Sequence, residues 1–398
     1  MEFTHKPKNK VVLGLGYGDE GKGMAVAHEV IRALAFGLTP VVVRFNGGPQ
    51  AAHNVRVVGD DGNVLHHTHS QFGSGALLGA DTIITKGMLF DPFSVANEAS
   101  HLSFVTKSDS ISKLMVDMAC PVILPIHVYA NQHLERGRGK HRHGSTGRGI
   151  GIARACEHAC KTGDVDPHML IDVKSLFQPN ILLAKMQFWC KWISSQYGVE
   201  MEEPSMGLAE DISNGVRRLN AYGMRVSEHT TDIVRENIIN FHCVIFEGSQ
   251  GLLLDRRYGT FPHVTYGDMS AYGAFEVAGC KVPVMGVTRS YQTRHGNGPF
   301  PTEGTYDAPE VDNITTTWAG KFRTGLLDAA MFKSVTSWEP VDELAVSCMD
   351  RYPGKFCGYD HEVIETGPER FLSHLEHVAQ APVTVVGYGN TVGQWTDR

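Results

Sequence analysis

The chain lacks the long apolar run that a membrane span needs, and its polar start (Met-Glu-Phe-Thr-His-Lys-Pro-Lys-Asn-Lys) lacks the apolar core of a signal peptide. Positive charge is not in excess: 36 Lys and Arg stand against 43 Asp and Glu, a net charge of −7, which argues against a sequence-independent grip on nucleic acid. Eight cysteines follow no framework spacing, so a disulfide scaffold is excluded; a cytoplasmic location with reduced thiols is expected. The densest group, Cys156-Glu-His158-Ala-Cys160, with His133, His141 and His143 upstream, lacks paired Cys-x2-Cys knuckles and reads as helix residues rather than zinc ligands. Internal repeats, low-complexity tracts and Pro/Ser-rich linkers are also missing. One domain over residues 1–398, with a helical insertion around 165–225, is the simplest expectation.

What is present is glycine, placed after strands. Gly14-Leu-Gly-Tyr-Gly-Asp-Glu-Gly-Lys-Gly23 follows the apolar run Val11–Leu13 and precedes a helical pattern over roughly 21–36, where Val26, Val30, Ala33 and Leu34 share a face and Gly37 ends the run. Such a turn closes backbone N–H groups around phosphate at a helix N-terminus. Two spacings overlap in it. Gly16-x-Gly18-x-x-Gly21 fits a dinucleotide fingerprint, and Gly16-x4-Gly21-Lys22 fits a Walker-type loop. The dinucleotide reading wants an acid after the next strand, but Pro40–Phe45 ends in Arg44 and Asn46; an NADPH-dependent reductase is the remote alternative. Asp19 and Glu20 would repel a bare pyrophosphate. A metal removes that objection, and Asp19 can supply the Mg²⁺ ligand that Gly23 cannot, so a nucleoside-triphosphate site is favoured.

Further apolar runs predict strands at Val41–Phe45, Thr82–Thr85, Val122–Leu124, Cys243–Phe246, Val282–Val287, Leu344–Cys348 and Val383–Val386, with helical patterns at 169–197 and 207–222. The alternation predicts an α/β fold with a large, mostly parallel central sheet, flanking helices and a P-loop-like phosphate site. Glycine-rich segments at 47–48, 144–151, 248–251, 296–299 and 320–325 then fall where ligands bind such sheets, beyond the strand ends.

Several of these loops carry reactive groups. His53 ends Arg44-Phe-Asn-Gly-Gly-Pro-Gln-Ala-Ala-His53 and suits protonation or oxyanion stabilisation. His143-Gly-Ser-Thr-Gly-Arg148 suits a second phosphate. Gln250 suits a purine edge, and the hydroxyls of 315–317 with Arg323 suit a carboxylate substrate.

Gly18-Asp-Glu-Gly-Lys-Gly23, the loop to His53, Gly144–Gly151, Phe246–Asp255, Gly259–Thr265, Thr293–Glu303 and Arg323–Asp328 together resemble the adenylosuccinate synthetase family, in the family's order and over most of the chain. The resemblance implies a ligase in which a nucleoside triphosphate phosphorylates O6 of a purine nucleoside monophosphate and L-aspartate displaces that phosphate. It implies Asp19 as base and, with the Ala52 carbonyl, as Mg²⁺ ligand. His53 would stabilise oxygen charge and Gln250 would sit at O6. Gly18, Glu20, Gly21, Lys22 and Gly23 would meet nucleotide or phosphate, as would Gln50, Ser145, Thr146, Thr265, Asp350 and Gly387. Thr316, Thr317 and Arg323 would hold aspartate. Family members are homodimers in which a partner's basic residue reaches the 5′-phosphate; Lys161 and Arg154 are the candidates here.

The departures concern recognition rather than chemistry. Gln50-Ala-Ala-His53 replaces Asn-Ala-Gly-His, and only Gly320-Lys-Phe precedes Arg323 where the family has a run of arginines. Ser347-Cys-Met-Asp350 replaces Thr-Lys-Leu-Asp, and Gly387-Tyr-Gly-Asn390 replaces a Ser-Thr-Gly-Pro loop. The segment between Asp328 and Leu344 is abbreviated. The lost lysine and arginines lean toward the phage branch of the family, which takes dGMP with ATP or dATP. Asp19 leans toward the ordinary enzymes using IMP and GTP.

Overall fold

The computed structural model describes residues 3, 6–59, 61–107, 113–240, 242–308, 310, 313, 317–318 and 320–398. Its strands run β1 (Lys10–Gly14), β2 (Pro40–Arg44), β3 (His53–Val58), β4 (Val64–His69), β5 (Asp81–Ile84) and β6 (Leu114–Asp117). They continue through β7 (Met224–Ser227), β8 (Cys243–Gly251), β9 (Val284–Arg289), β10 (Tyr291–His295) and β11 (Phe322–Leu326). Last come β12 (Glu343–Ser347), β13 (Lys355–Cys357), β14 (Val363–Glu365), β15 (Val383–Gly387) and β16 (Trp395–Asp397). Ten of them form one sheet in the order β16-β15-β12-β9-β1-β8-β2-β5-β6-β7. All its pairs are parallel except β15–β16.

The pleat sorts the apolar strands onto two faces. Val12, Val42, Ile84 and Ile245 enter one core, and Val11, Leu13, Val41, Val43 and Phe246 enter the other. Burial on both faces explains why these strands read as continuous apolar runs rather than as alternation. The one charge at the start of β1, Lys10, is neutralised by Glu29 at 3.1 Å and Glu343 at 2.6 Å. The expected α/β architecture with a mostly parallel sheet is thus present.

Helices α1 (Lys22–Ala35), α2 (Pro92–Thr106), α3 (Pro125–Gly137), α4 (Ile150–Thr162), α5 (Pro179–Tyr197) and α6 (Met206–Arg218) supply most of the cover over the first core. Two sequence expectations fail locally. Val122–Leu124 is not a strand: Pro121 and Val122 make only isolated bridges, and Pro125 starts α3 at once. The helical pattern at 169–197 breaks into a 3₁₀ turn (Val173–Phe177) followed by α5, because Asp172 caps the turn and Pro179 starts a new helix. Cys156 and Cys160 face the core from α4, where burial pushes the Cys160 thiol up to about 11.

Candidate active site

The loop between β1 and α1 departs from ordinary backbone at three nearby residues: Gly18 (φ 94°), Asp19 (φ 60°) and Gly21 (φ 97°). Gly21 is the N-cap of α1 and brings no side-chain cap, which leaves first-turn amides for an anion. A side chain at Gly21 would press on Ser347 at 3.1 Å and on Trp395 at 3.4 Å.

Glu20 behaves differently from its neighbour. Its carboxylate turns into the loop and is buried, which leaves the backbone of Glu20 as the part able to meet a nucleotide. It accepts the N–H groups of Gly16 (2.9 Å) and Gly18 (2.8 Å) and pairs with Lys22 Nζ at 2.6 Å. Burial works to raise its pKa, but Lys22 and the loop amides outweigh burial and hold it low. Glu20 therefore ties the loop shut from inside, and Lys22 sits buried beside it at the rim of the cleft.

His53 starts β3 rather than lying in a loop, and it is buried. Its Nδ1 meets Glu247 Oε1, and its Nε2 lies 3.2 Å from the Ser249 carbonyl. Burial pulls the His53 pKa down while Glu247 pulls it up. Glu247 also accepts Ser74 N–H at 2.8 Å and the Ser74 hydroxyl, with Arg44 Nη1 3.8 Å away. Burial alone would raise the Glu247 pKa; Arg44, His53 and Ser74 together hold it well below the carboxylate range. Arg44 is thus no ligand for a 2′-phosphate: it is fully buried and donates to the Phe72 carbonyl and to Ser249 Oγ. Sequence reading passed over Glu247, although an acid continuing the buried run Cys243–Phe246 is itself a signal of an internal ion pair.

The remaining expected residues make contacts of their own. Gln250 reaches Gly18, its Oε1 3.2 Å from where a Cβ there would stand. Gln50 Nε2 donates to Thr265 Oγ1 at 3.4 Å, joining two expected phosphate-side residues far apart in sequence, and Gln50 Oε1 is buried without a partner among the described residues. Ser145 accepts from Asn131 at 3.1 Å, Thr146 is exposed, and this second glycine loop leads straight into the N-terminus of α4. Arg323 on β11 is held by Glu303 at 2.8 Å and by the Gly298 carbonyl at 3.0 Å. Thr317 is exposed, and Thr316 lies outside the described residues.

One cleft is shared by Asp19, Gly21, Lys22, Gly23, Ala52, His53, Ser347, Cys348 and Asp350. Arg289, Glu310, Asn313 and Trp395 line it as well and were missed in the sequence reading. Gly387 does not open onto it, because the buried Trp395 ring covers it: a Cβ at Gly387 would stand 2.6 Å from that ring. The glycine-rich loop after β1 and the buried Glu247–His53 pair therefore meet at one cleft beyond the carboxyl ends of the strands.

The family model described as adenylosuccinate synthetase matches residues 11–356. The chain belongs to the adenylosuccinate synthetase family. The adenylosuccinate synthetase of Marinobacter nauticus is 30% identical over 366 residues, covering 87% of this chain and 78% of that protein. The enzyme of a Cyanothece species is 33% identical over 361 residues, covering 86% and 74%. Among solved structures, the fully ligated adenylosuccinate synthetase of Plasmodium falciparum superposes with a TM-score of 0.78 at 19% identity, covering 98% of this chain and all of the other. A cyanophage S-2L succinoaminodeoxyadenylate synthetase, solved with dGMP and with dATP as energy donor, superposes with a TM-score of 0.61 at 19% identity, covering 99% and 96%. As an adenylosuccinate synthetase-type enzyme the chain is a carbon–nitrogen ligase of purine biosynthesis, a family that binds a nucleoside monophosphate, a nucleoside triphosphate and aspartate. No helix among the described residues is long and apolar enough to cross a membrane.

Proposed function

We propose that this adenylosuccinate synthetase-type ligase couples L-aspartate to C6 of dGMP, using ATP or dATP, to give N6-succino-2-amino-2′-deoxyadenylate. The observation that carries the proposal is the altered cleft floor: Ser347-Cys-Met-Asp350 ends β12 against the phosphate loop, with Ser347 Oγ donating to the Glu20 carbonyl at 2.7 Å. The lysine of the family pattern is missing there, which removes a recognition group for guanine of GTP. The changed residues before Arg323 affect the ribose side in the same direction. Asp350 favours the second reading, IMP with GTP, because its carboxylate lines the cleft and can accept a guanine N1–H and N2–H pair.

In either reading Asp19 is the base that takes the purine N1 proton, with Gln250 beside it. The Asp19 side chain is 24% exposed, and among the described residues its one ion-pair partner is His295. That carboxylate and the carbonyl of the exposed Ala52 fit a hard divalent cation such as Mg²⁺, which would neutralise phosphate charge during transfer. His53 faces acceptors at both ring nitrogens, an arrangement that imidazolium satisfies. Burial keeps it from charging until negative charge arrives on the transferred phosphoryl group and O6. Arg323 presents the guanidinium for aspartate, its present partner Glu303 standing in for the incoming carboxylate. We propose a homodimer as the working form. Lys161 is its contribution to the partner's 5′-phosphate, since it is 70% exposed and its one tie among the described residues is an ion pair to Glu157 at 2.6 Å within its own helix. Arg154 is committed to the Gly47 and Gly87 carbonyls and to Glu157.

The test is a matrix of IMP or dGMP with GTP, ATP or dATP, in the presence of aspartate and Mg²⁺, followed by chromatography of the succinyl product. Product from dGMP with ATP or dATP is the expected result. Product from IMP and none from dGMP overturns it in favour of the second reading.

A further inference from the structure

Asp19 holds a left-handed backbone that an L-residue other than glycine seldom keeps without outside support. Both ends of the residue are gripped from β9 and β10. Arg289 Nε donates to the Asp19 carbonyl, and His295 Nε2 lies 3.3 Å from Asp19 Oδ2. The grips are themselves connected. Arg289 Nη1 pairs with Glu310 Oε1, Asn313 Nδ2 donates to Glu310 Oε2 at 3.0 Å, and Asn313 Oδ1 stands 3.4 Å from His295 Nε2. Asp19, Arg289, Glu310, Asn313 and His295 thus close into a ring.

The ring fixes the tautomer of His295. Asn313 uses its amide nitrogen on Glu310, so its oxygen faces the imidazole, and Asp19 offers only carboxylate. Both neighbours of Nε2 are acceptors, so Nε2 carries the hydrogen. Nδ1 is buried without a partner among the described residues. The ring plane is held by Phe322, centroids 4.7 Å apart, and Arg289 is further anchored on Tyr291 Oη at 2.9 Å.

From this geometry we propose that His295 is a positioning residue for the reaction: with its Nε2–H on Asn313 Oδ1, the imidazole stands 3.3 Å from Oδ2 of Asp19, fixes that oxygen and leaves Oδ1 for the substrate proton. The inference rests on the reading of Asp19 as base and adds the device that aims it.

The test compares His295→Ala, His295→Gln, Asn313→Ala, Asp19→Asn and the Asp19→Asn/His295→Ala double variant, each checked by thermal melting and by binding of the monophosphate. His295→Ala is expected to lower kcat by about 10- to 100-fold, the range for removing a group that orients a reacting one, with both nucleotide KM values within about twofold. His295→Gln recovers most of the loss, since its amide nitrogen can donate to the same two acceptors. Asn313→Ala, which removes the amide that joins the imidazole to Glu310, lowers kcat less and in the same direction. The double variant is no slower than the residual rate of Asp19→Asn, because His295 acts through Asp19. Parental kcat in His295→Ala, a raised monophosphate KM at unchanged kcat, or an additive loss in the double variant overturns the proposal. Parental turnover in Asp19→Asn overturns the reading of the base instead, a distinct result.

Discussion

A single carboxylate, Glu247, carries more of this site than its place in the sequence suggests. It joins His53, Ser74 and Arg44 where water is excluded, so each of those groups depends on its charge. Glu247→Gln should leave Arg44 buried and unpaired, costing about 3 kcal/mol of stability, the usual scale for breaking a buried pair. It should also cut kcat by about 10- to 100-fold, as the loss of an imidazole's orienting partner does. Urea unfolding and steady-state rates measure the two effects, and an unchanged rate would remove Glu247 from the active arrangement. Residues of this kind were the least legible. Asp19 and Lys22 stand in a motif whose spacing announces phosphate chemistry, while His53 and Gln250 took their roles from the family resemblance. Glu247, Arg289 and His295 matter through contacts with residues that are distant in the chain, and spacing cannot carry that. Arg44 misled for the same reason, since an arginine after a strand looks alike whether it meets a ligand or an internal acid.

At the level of elements, strands buried on both faces were readable because a run of β-branched residues suits a doubly covered strand and little else, as at Val41–Val43 and Val383–Val386. The hairpins β3–β4 and β10–β11 were not. Their strands mix His, Arg, Thr and Asn with apolar residues, and their pairing is set by neighbours rather than by pattern. The start of α3 shows such a local device. Leu124 N–H donates to Nδ1 of His127 at 3.0 Å, one turn inside the helix, and burial lowers the His127 pKa from 6.5 to about 4. A protonated ring would lose that bond and bring positive charge to a helix N-terminus. The unfolded chain therefore binds this proton at a higher pH than the folded one. The stability it represents is complete above about 6.5, falls as pH drops toward about 4, and amounts to about 3 kcal/mol. Denaturant midpoints measured between those pH values should decline less steeply for His127→Gln, which keeps an acceptor and cannot charge. Equal slopes would assign the acid sensitivity elsewhere.

At the level of the whole molecule, the proposed dimer places Lys161 of one subunit at the site of the other. Mixing inactive Asp19→Asn chains with inactive Lys161→Glu chains should then restore activity at about a quarter of the sites, as two-fold symmetry with free exchange requires. No recovery after exchange would mean that each subunit works with its own residues alone. The cleft itself is assembled from Asp19, His53, Arg289, Ser347 and Trp395, which the chain delivers over almost its full described length. Parallel strands paired across such separations close late in folding, because the loop entropy is lost before the contacts form. With Glu20 tied to Ser347, the phosphate loop reaches its working shape only after β12 has docked beside β9. A half-folded chain therefore lacks the Ser347 contact that holds this loop, and the shape of the cleft is inherited from the closing of the sheet.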